Sequence, residues 1–251
     1  MLEEILKIAM DAGRIVMDYF QKPCLVWENT GGSPVTEADL KANIFISDKL
    51  TEMDSDIPII SEESKIPPFE IRKKWTKFWL VDPLDGTKEF IDKLEDFTVN
   101  IALIENGEPV LGVIFAPARQ ELYFAEKGNG SWKINFDGKR SRIFSNDPNK
   151  SVSLVVAGSR RHGAAELDEF LKSLKVKSIL QIGSSLKFCL VAEGLADIYP
   201  RLGPTMEWDV AAGDCIYRNS ILTGQRWSPL IYNKEDLRNQ NFVIGLSKDI
   251  G

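Results

Sequence analysis

Residues 79–90, Trp79-Leu80-Val81-Asp82-Pro83-Leu84-Asp85-Gly86-Thr87-Lys88-Glu89-Phe90, are the most informative segment of the chain. Phe78–Val81 is an all-apolar strand of the kind buried on both faces, yet it ends on an acid. Pro83 fixes φ and is expected to stop the ladder, and Gly86 allows a turn closed to other residues. Asp82 and Asp85 come round that turn with the Leu84 carbonyl free between them, and Thr87 is placed to cap a short helix. Close acids and a carbonyl suit a hard cation, because each oxygen supplies charge without a proton to lose. Turn and cap duties explain such acids equally well when they stand alone.

Upstream, Ile57–Ser61 forms a second strand that ends on an acid, Glu62. Thr36 stands three residues before Asp39 and ahead of Leu40, Ile44 and Leu50, which predicts a capped helix. The polar stretch Glu28–Pro34 separates it from an opening amphipathic helix carrying Leu2, Ile5, Leu6, Ala9, Gly13, Val16 and Phe20. Downstream, Ile101–Ile104 and Val110–Phe115 flank Asn106-Gly107. Leu122–Ala125 precedes Gly128-Asn129-Gly130, and Asp137-Gly138 marks another turn, so antiparallel hairpins follow.

Ser145–Ser151 is the best internal boundary. Beyond it strands (Leu154–Ala157, Ser178–Ile182, Ala196–Tyr199) alternate with helices (Ala164–Leu174, Leu186–Glu193, Asp209–Arg218). The pattern predicts an α+β part, an antiparallel sheet with two helices packed on it, over residues 1–147. An α/β part over residues 148–251 follows, with the cleft between them. Asp209 opens the last helix as an N-cap or as a further ligand. Ala211-Ala212-Gly213 behind it let the helix approach another element closely.

The 251 residues are 43% hydrophobic and 27% charged, the composition of a globular chain. With 31 Lys+Arg against 37 Asp+Glu the net charge is −6, which argues against a nucleic-acid partner. An anionic substrate then needs local cations. One histidine, His162, excludes a multi-histidine metal site, so any metal is held by oxygen, favouring Mg²⁺ or Mn²⁺. Cys24, Cys189 and Cys215 form no C-x-x-C pair and suit a reducing compartment. The charged N-terminal stretch is not read as a signal peptide, and no apolar run reaches the ~18 residues of a membrane span. The expectation is a cytoplasmic monomer or homodimer with no integral membrane segment and peripheral membrane association left open.

Asp82-Pro83-Leu84-Asp85-Gly86-Thr87 with Trp208-Asp209-Val210-Ala211-Ala212-Gly213 resembles the paired signature of the inositol monophosphatase superfamily. Val35-Thr36-Glu37-Ala38-Asp39 and Ile60-Ser61-Glu62-Glu63-Ser64 are similar to its other two acidic motifs, in the same order. Lys88-Glu89-Phe90, Gly183-Ser184-Ser185-Leu186-Lys187-Phe188 and Gly203–Asp209 resemble the CysQ branch, the 3'(2'),5'-bisphosphate nucleotidases. The resemblance covers essentially the whole chain and implies a layered αβαβα sandwich. It also implies a lithium-sensitive, Mg²⁺-dependent phosphatase of sulfur metabolism that converts adenosine 3',5'-bisphosphate to AMP and phosphate.

Carried over, Glu62, Asp82 and the Leu84 carbonyl would hold one Mg²⁺, and Asp82, Asp85 and Asp209 a second, with a third near Glu62. Asp39 would accept a hydrogen bond from Thr87, whose oxygen helps deprotonate the attacking water, so Asp39, Glu62 and Thr87 are the expected catalytic residues. Gly86, Thr87, Lys88, Gly183, Ser184, Ser185, Lys187, Arg201 and Asp209 would bind substrate. A helix N-terminus near Leu186, with a full charge on Lys187, suits a second phosphate.

Two departures stand out: Arg161 in Ser159-Arg160-Arg161-His162, where the branch has Ser-Arg-Ser-His, and Asp214–Gly224, where it has an Ala-Gly-Gly turn. Two rival readings remain, an inositol or sugar phosphate phosphatase and a silent nucleotide-binding protein. Motors and kinases are disfavoured because G-x-x-x-x-G-K-[ST] is absent, and Gly128-Asn129-Gly130 lacks the third glycine of a dinucleotide fingerprint.

Overall fold

The computed structural model describes residues 1–22, 24–28, 34–147, 151–160, 164–221, 228 and 230–245, the side chains of 164 and 165 excepted. The glycine-rich stretch 29–33, the boundary residues 148–150, Arg161, His162 and positions 222–224 of the altered helix exit lie outside them.

The chain opens with α1 (Leu2–Phe20), β1 (Val26–Glu28), β2 (Pro34–Thr36) and α2 (Glu37–Met53). β3 (Ile59–Ser61), α3 (Phe69–Arg72), β4 (Lys77–Asp85) and α4 (Thr87–Ile91) follow. Five strands then meander: β5 (Thr98–Glu105), β6 (Glu108–Ala116), β7 (Glu121–Glu126), β8 (Gly130–Ile134) and β9 (Arg140–Ile143). They complete a seven-stranded sheet in the order β3-β4-β5-β6-β7-β8-β9. The predicted antiparallel sheet is therefore mixed, because β3 joins β4 in parallel. A parallel pair needs a long crossover, which residues 62–76 supply.

The remaining elements are β10 (Leu154–Gly158), α5 (Ala164–Leu171), β11 (Val176–Gln181), α6 (Leu186–Ala192), β12 (Tyr199–Arg201), β13 (Thr205–Met206), α7 (Glu207–Ser220), β14 (Arg238–Asn239) and β15 (Phe242–Ile244). β10 pairs with β11 in parallel, β12 with β15 antiparallel, and Ile198 bridges to Val156. The strand expected over 196–199 begins only at Tyr199. Before it, Ile198 pairs with β10 as a lone bridge, and the Asp197 carboxylate accepts the Val155 N–H at 2.7 Å where a ladder would place a backbone carbonyl.

Strand β4 shows why its residues are apolar throughout. Trp79 and Val81 join a core with Ile5, Ala9, Ala42 and Ile46 of α1 and α2. Phe78 and Leu80 face the opposite way, onto Phe188 of α6 and Trp208 and Ala212 of α7. That second core continues to Ala157, Tyr199 and Phe242 of the second sheet. On the far side of that sheet Leu154 and Val156 meet Phe170 and Leu171 of α5. The layers thus run helix, sheet, helix, sheet, helix, as the resemblance implies.

The central layer is tightly seated. A Cβ on Gly112 of β6 would lie 2.6 Å from the Ala212 oxygen, and one on Gly213 would lie 2.5 Å from the Phe188 ring. Gly112 therefore lets α7 seat on the sheet that carries Asp82, and Gly213 lets α6 pack against α7.

Candidate metal and phosphate site

Pro83 does not end the ladder. Asp82 pairs with Asn100 and Asp85 with Thr98, so β4 carries one extra residue in a bulge and resumes. Gly86 follows at φ +95° in the left-handed region. Thr87 is the first residue of α4 and Gly86 occupies the cap position, which corrects the expected role of Thr87 as the cap.

The bulge, the end of β3 and the start of α7 bring three carboxylates together. Ligand atoms of Glu62, Asp82 and Asp209 lie within 4.8 Å of one another. Glu62 is placed by its own N–H, which donates to the Val81 carbonyl at 3.2 Å and so extends the parallel ladder by one bond. Asp82 is 1% exposed, and its Oδ1 accepts the Leu84 N–H at 3.1 Å. Asp209 is the third residue of α7, not its opener. Its Oδ2 accepts the Met206 N–H at 2.9 Å.

Asp85 stands apart from this trio, toward the cavity. Its Oδ2 accepts the Ser185 N–H at 2.6 Å and Asn100 Nδ2 at 3.4 Å. Asp39 is also a third helical residue: its Oδ2 accepts the Thr36 N–H at 2.7 Å, closing the expected capping box. Its Oδ1 lies 3.2 Å from Thr87 Oγ, which is equally 3.2 Å from the Leu84 carbonyl oxygen. A hydroxyl has one proton, so Thr87 donates to one of these at a time.

Burial and mutual repulsion raise the acids. Glu62 is pushed up to about 9, first by burial and then by Asp209, Glu63 and Asp85. Asp209 is pushed up to about 7 by burial and Asp85. Asp82 is raised well above its ordinary value by burial and by Glu62, Asp85 and Asp209. Asp85 is raised by burial, against the opposing pull of Lys187 and the Ser185 N–H. A cluster of buried carboxylates at neutral pH keeps protons or takes up a cation. An all-oxygen, acid-rich donor set of this kind fits a hard divalent cation.

An open cavity of about 230 Å³ adjoins the acids. Gly86, Thr87, Lys88, Glu89 and Asp85 line it from the first half, and Gly183, Ser184, Ser185, Lys187, Arg201 and Asp209 from the second. All nine expected substrate-binding residues are thus at one cavity. Lys187 differs from the expected free charge at a helix N-terminus. It is 3% exposed, and its Nζ donates to the Ser184 carbonyl at 2.5 Å and lies 3.4 Å from that of Ile182. Burial pulls it down to about 8, with Asp85 opposing. Ser184, at φ +48°, holds a backbone conformation that this lysine supports.

Three further residues neighbour the site, of which Asn100 and Asp96 stand in no motif. Asn100 sits opposite Asp82 in β5, Glu63 is pushed up to about 7 by burial and Asp39, and Asp96 accepts the Gly183 N–H at 3.2 Å. Only the Glu62-Glu63 pairing was visible beforehand, because the partners of Asn100 and Asp96 are set by register and loop path.

The inositol monophosphatase family model matches residues 1–220. The chain is 42% identical over 251 residues to the 3'(2'),5'-bisphosphate nucleotidase CysQ of Escherichia coli, across 98% of this chain and 100% of that protein. The CysQ of Salmonella typhimurium is 46% identical over 218 residues, 86% of each chain. A crystal structure of CysQ from Bacteroides thetaiotaomicron superposes with a TM-score of 0.82 at 39% identity, covering 96% of this chain and 95% of that one. The Thermotoga maritima IMPase gives 0.74 at 28% identity, covering 87% and 82%.

Proposed function

The chain belongs to the inositol monophosphatase family, and from that membership we propose that it removes the 3'-phosphate of adenosine 3',5'-bisphosphate, releasing AMP and phosphate. The observation that carries the proposal is the convergence of Glu62, Asp82 and Asp209 at a cavity whose other wall carries Lys187 and Arg201. Glu62, Asp82 and the Leu84 carbonyl would hold one Mg²⁺, and Asp82, Asp85 and Asp209 another. Bound Mg²⁺ neutralises the phosphate, acidifies water and stabilises the leaving oxygen.

The protein's own groups orient the reaction. Asp39 has one oxygen committed to Thr36 and the other facing Thr87. With the Leu84 carbonyl engaged as a ligand, Thr87 gives its proton to Asp39, and its oxygen then accepts a proton from the attacking water. Gly86, Lys88 and the Gly183–Ser185 turn surround the phosphate, and Arg201 and Lys187 supply positive charge opposite the acids. Lys187 does so while holding the turn through the Ser184 carbonyl. Residues 1–147 thus supply the metal ligands other than Asp209, and 148–251 most of the substrate contacts, in a cytoplasmic enzyme. Among the described residues no helix is long and apolar enough to cross a membrane.

Phosphate release from adenosine 3',5'-bisphosphate and inositol 1-phosphate, with and without Mg²⁺, tests the reading. Mg²⁺-dependent release from the nucleotide in preference to the inositol ester is expected. Preference for the inositol ester would overturn the substrate, and release from neither would overturn the activity.

A further inference from the structure

Asp96 lies between the two turns that face the cavity, in the segment that leads from α4 into β5. Its backbone fills the space that a side chain would need on either turn. A Cβ on Gly86 would lie 3.1 Å from the Asp96 oxygen, and one on Gly183 only 2.7 Å from it. Its carboxylate is 2% exposed and fully engaged. Oδ2 accepts the Gly183 N–H at 3.2 Å and Arg160 Nη2 at 2.7 Å, while Oδ1 accepts Arg119 Nη1 at 3.2 Å. One oxygen therefore ties a cavity-lining backbone to the guanidinium of Arg160, which follows the cavity-lining Ser159. Arg160 is partly exposed, at 38%.

A buried carboxylate beside an anion site would repel the substrate unless its charge were more than matched. Here two guanidiniums meet one carboxylate, and the Arg119 charge is shared with Glu121 at 3.1 Å. Of these two guanidiniums, Arg160 is the one held by the carboxylate oxygen that also holds the cavity-lining Gly183 N–H, and among the described residues its ion pair is with Asp96. A long side chain held this way loses less conformational freedom when it engages an anion.

We propose that Asp96 is a positioning residue: it holds Arg160 at the cavity rim to receive the phosphate of the bisphosphate substrate that is not cleaved, and it sets the Gly183 turn beside it. The proposal rests on the bisphosphate reading above. It goes further by giving the second phosphate a contact and that contact its anchor.

The test is steady-state kinetics with the full chain and Mg²⁺ on adenosine 3',5'-bisphosphate and on adenosine 3'-monophosphate, which lacks the other phosphate. Asp96→Asn keeps the shape and removes the charge. It should raise KM for the bisphosphate about tenfold, leave kcat within about twofold, and change KM for the monophosphate less than about twofold. The Mg²⁺ concentration giving half-maximal rate should not move. Arg160→Ala, at an exposed side chain that does not threaten folding, should reproduce the same split, and Asp96→Asn with Arg160→Ala should be no worse than Arg160→Ala alone. Equal losses on both substrates, a fall in kcat in place of the rise in KM, an unaffected Arg160→Ala, or multiplying effects in the double variant would each overturn the role. An unaltered protein that hydrolyses neither nucleotide would instead overturn the bisphosphate reading, and this proposal with it.

Discussion

Removing the divalent cation and raising the pH should unfold this protein progressively more easily, and the size of the effect follows from the acid cluster. Glu62 titrates at about 9 in the fold against an ordinary 4.5, and Asp209 at about 7 against 3.8. Between pH 5.5 and 8 the metal-free fold therefore holds protons that the unfolded chain has released. Groups raised in this way stabilise the fold fully below their unfolded pKa, and that contribution is lost as the pH rises through the folded value. Each proton held only by the fold lowers the unfolding free energy by about 1.4 kcal/mol per pH unit. Two such protons would contribute up to about 3 kcal/mol per unit, and Glu63, pushed up to about 7, adds in the same direction. Glu62 and Asp209 are only partly buried by surface area, so solvent screens them, and about 1 kcal/mol per unit is expected.

In a chain of this size that slope corresponds to a fall in Tm of about 2–4 °C per pH unit in chelator. Mg²⁺ binds the deprotonated cluster, so its stabilisation should grow over the same window and approach about 2.7 kcal/mol at a hundredfold excess over Kd. Thermal unfolding from pH 5.5 to 8, with chelator and with Mg²⁺, reads both slopes. Calorimetry in buffers of different ionisation enthalpy reads the protons released on binding. The window stops at 8 because Lys187, pulled down to about 8 from 10.5, adds a contribution that rises with pH above that point and opposes that of Glu62. A chelated Tm that is flat or rises between pH 5.5 and 8, or a Mg²⁺ shift equal at both ends, would show that the metal-free cluster does not hold these protons.

Asp82→Asn should lower phosphate release at least about a thousandfold and abolish the Mg²⁺ shift in Tm. It should leave the chelated Tm at pH 7 within about 2 °C, because burial and the neighbouring acids already favour the neutral form of Asp82, which the amide mimics in size and charge. Thr87→Val should cut kcat about 10- to 100-fold while preserving the Mg²⁺ shift, since it removes the hydroxyl between Asp39 and the Leu84 carbonyl and leaves the carboxylates of Glu62, Asp82, Asp85 and Asp209 in place. Loss of the shift in that variant would make Thr87 a structural support of the metal site. Gly112→Ala should destabilise the fold by about 2–3 kcal/mol in thermal unfolding, because its methyl meets the Ala212 oxygen in the layer that carries Asp209. Gly203→Ala, with nothing within 4 Å of the added carbon, serves as its near-neutral control.

What was legible in the sequence was whatever depends on near neighbours in the chain. The apolar run Phe78–Val81, the Asn106-Gly107 and Asp137-Gly138 turns and the Thr36–Asp39 capping box all form where their local chemistry places them. Features set by long-range register were not. The parallel docking of β3 on β4 could not be read from a three-residue strand, nor could the continuation of β4 past Pro83 in a bulge. Lys187 reads as a helix-surface lysine because its partners, two backbone carbonyls of the preceding turn, carry no side-chain signature. Asp96 gave no signal for the same reason: its partners lie 23, 64 and 87 positions away along the chain and are joined only by the fold.

Asp39 and Asp209 show a different limit. In the sequence, helix cap and site residue stand as competing roles for each of them, and in the fold the two roles are one. Each is the third residue of its helix, and each returns a carboxylate oxygen to the backbone N–H just before that helix, at 2.7 Å for Asp39 and 2.9 Å for Asp209. That bond fixes the side-chain torsions, so the carboxylate of Asp39 also meets Thr87, and that of Asp209 also meets Glu62 and Asp82, without further ordering on binding. A helix start is stiff, and its first turn favours negative charge, so it helps to hold an acid that burial would otherwise neutralise. The capping pattern was therefore evidence for the site, because a carboxylate already anchored at a helix start is one that can hold its place beside other acids until a cation arrives.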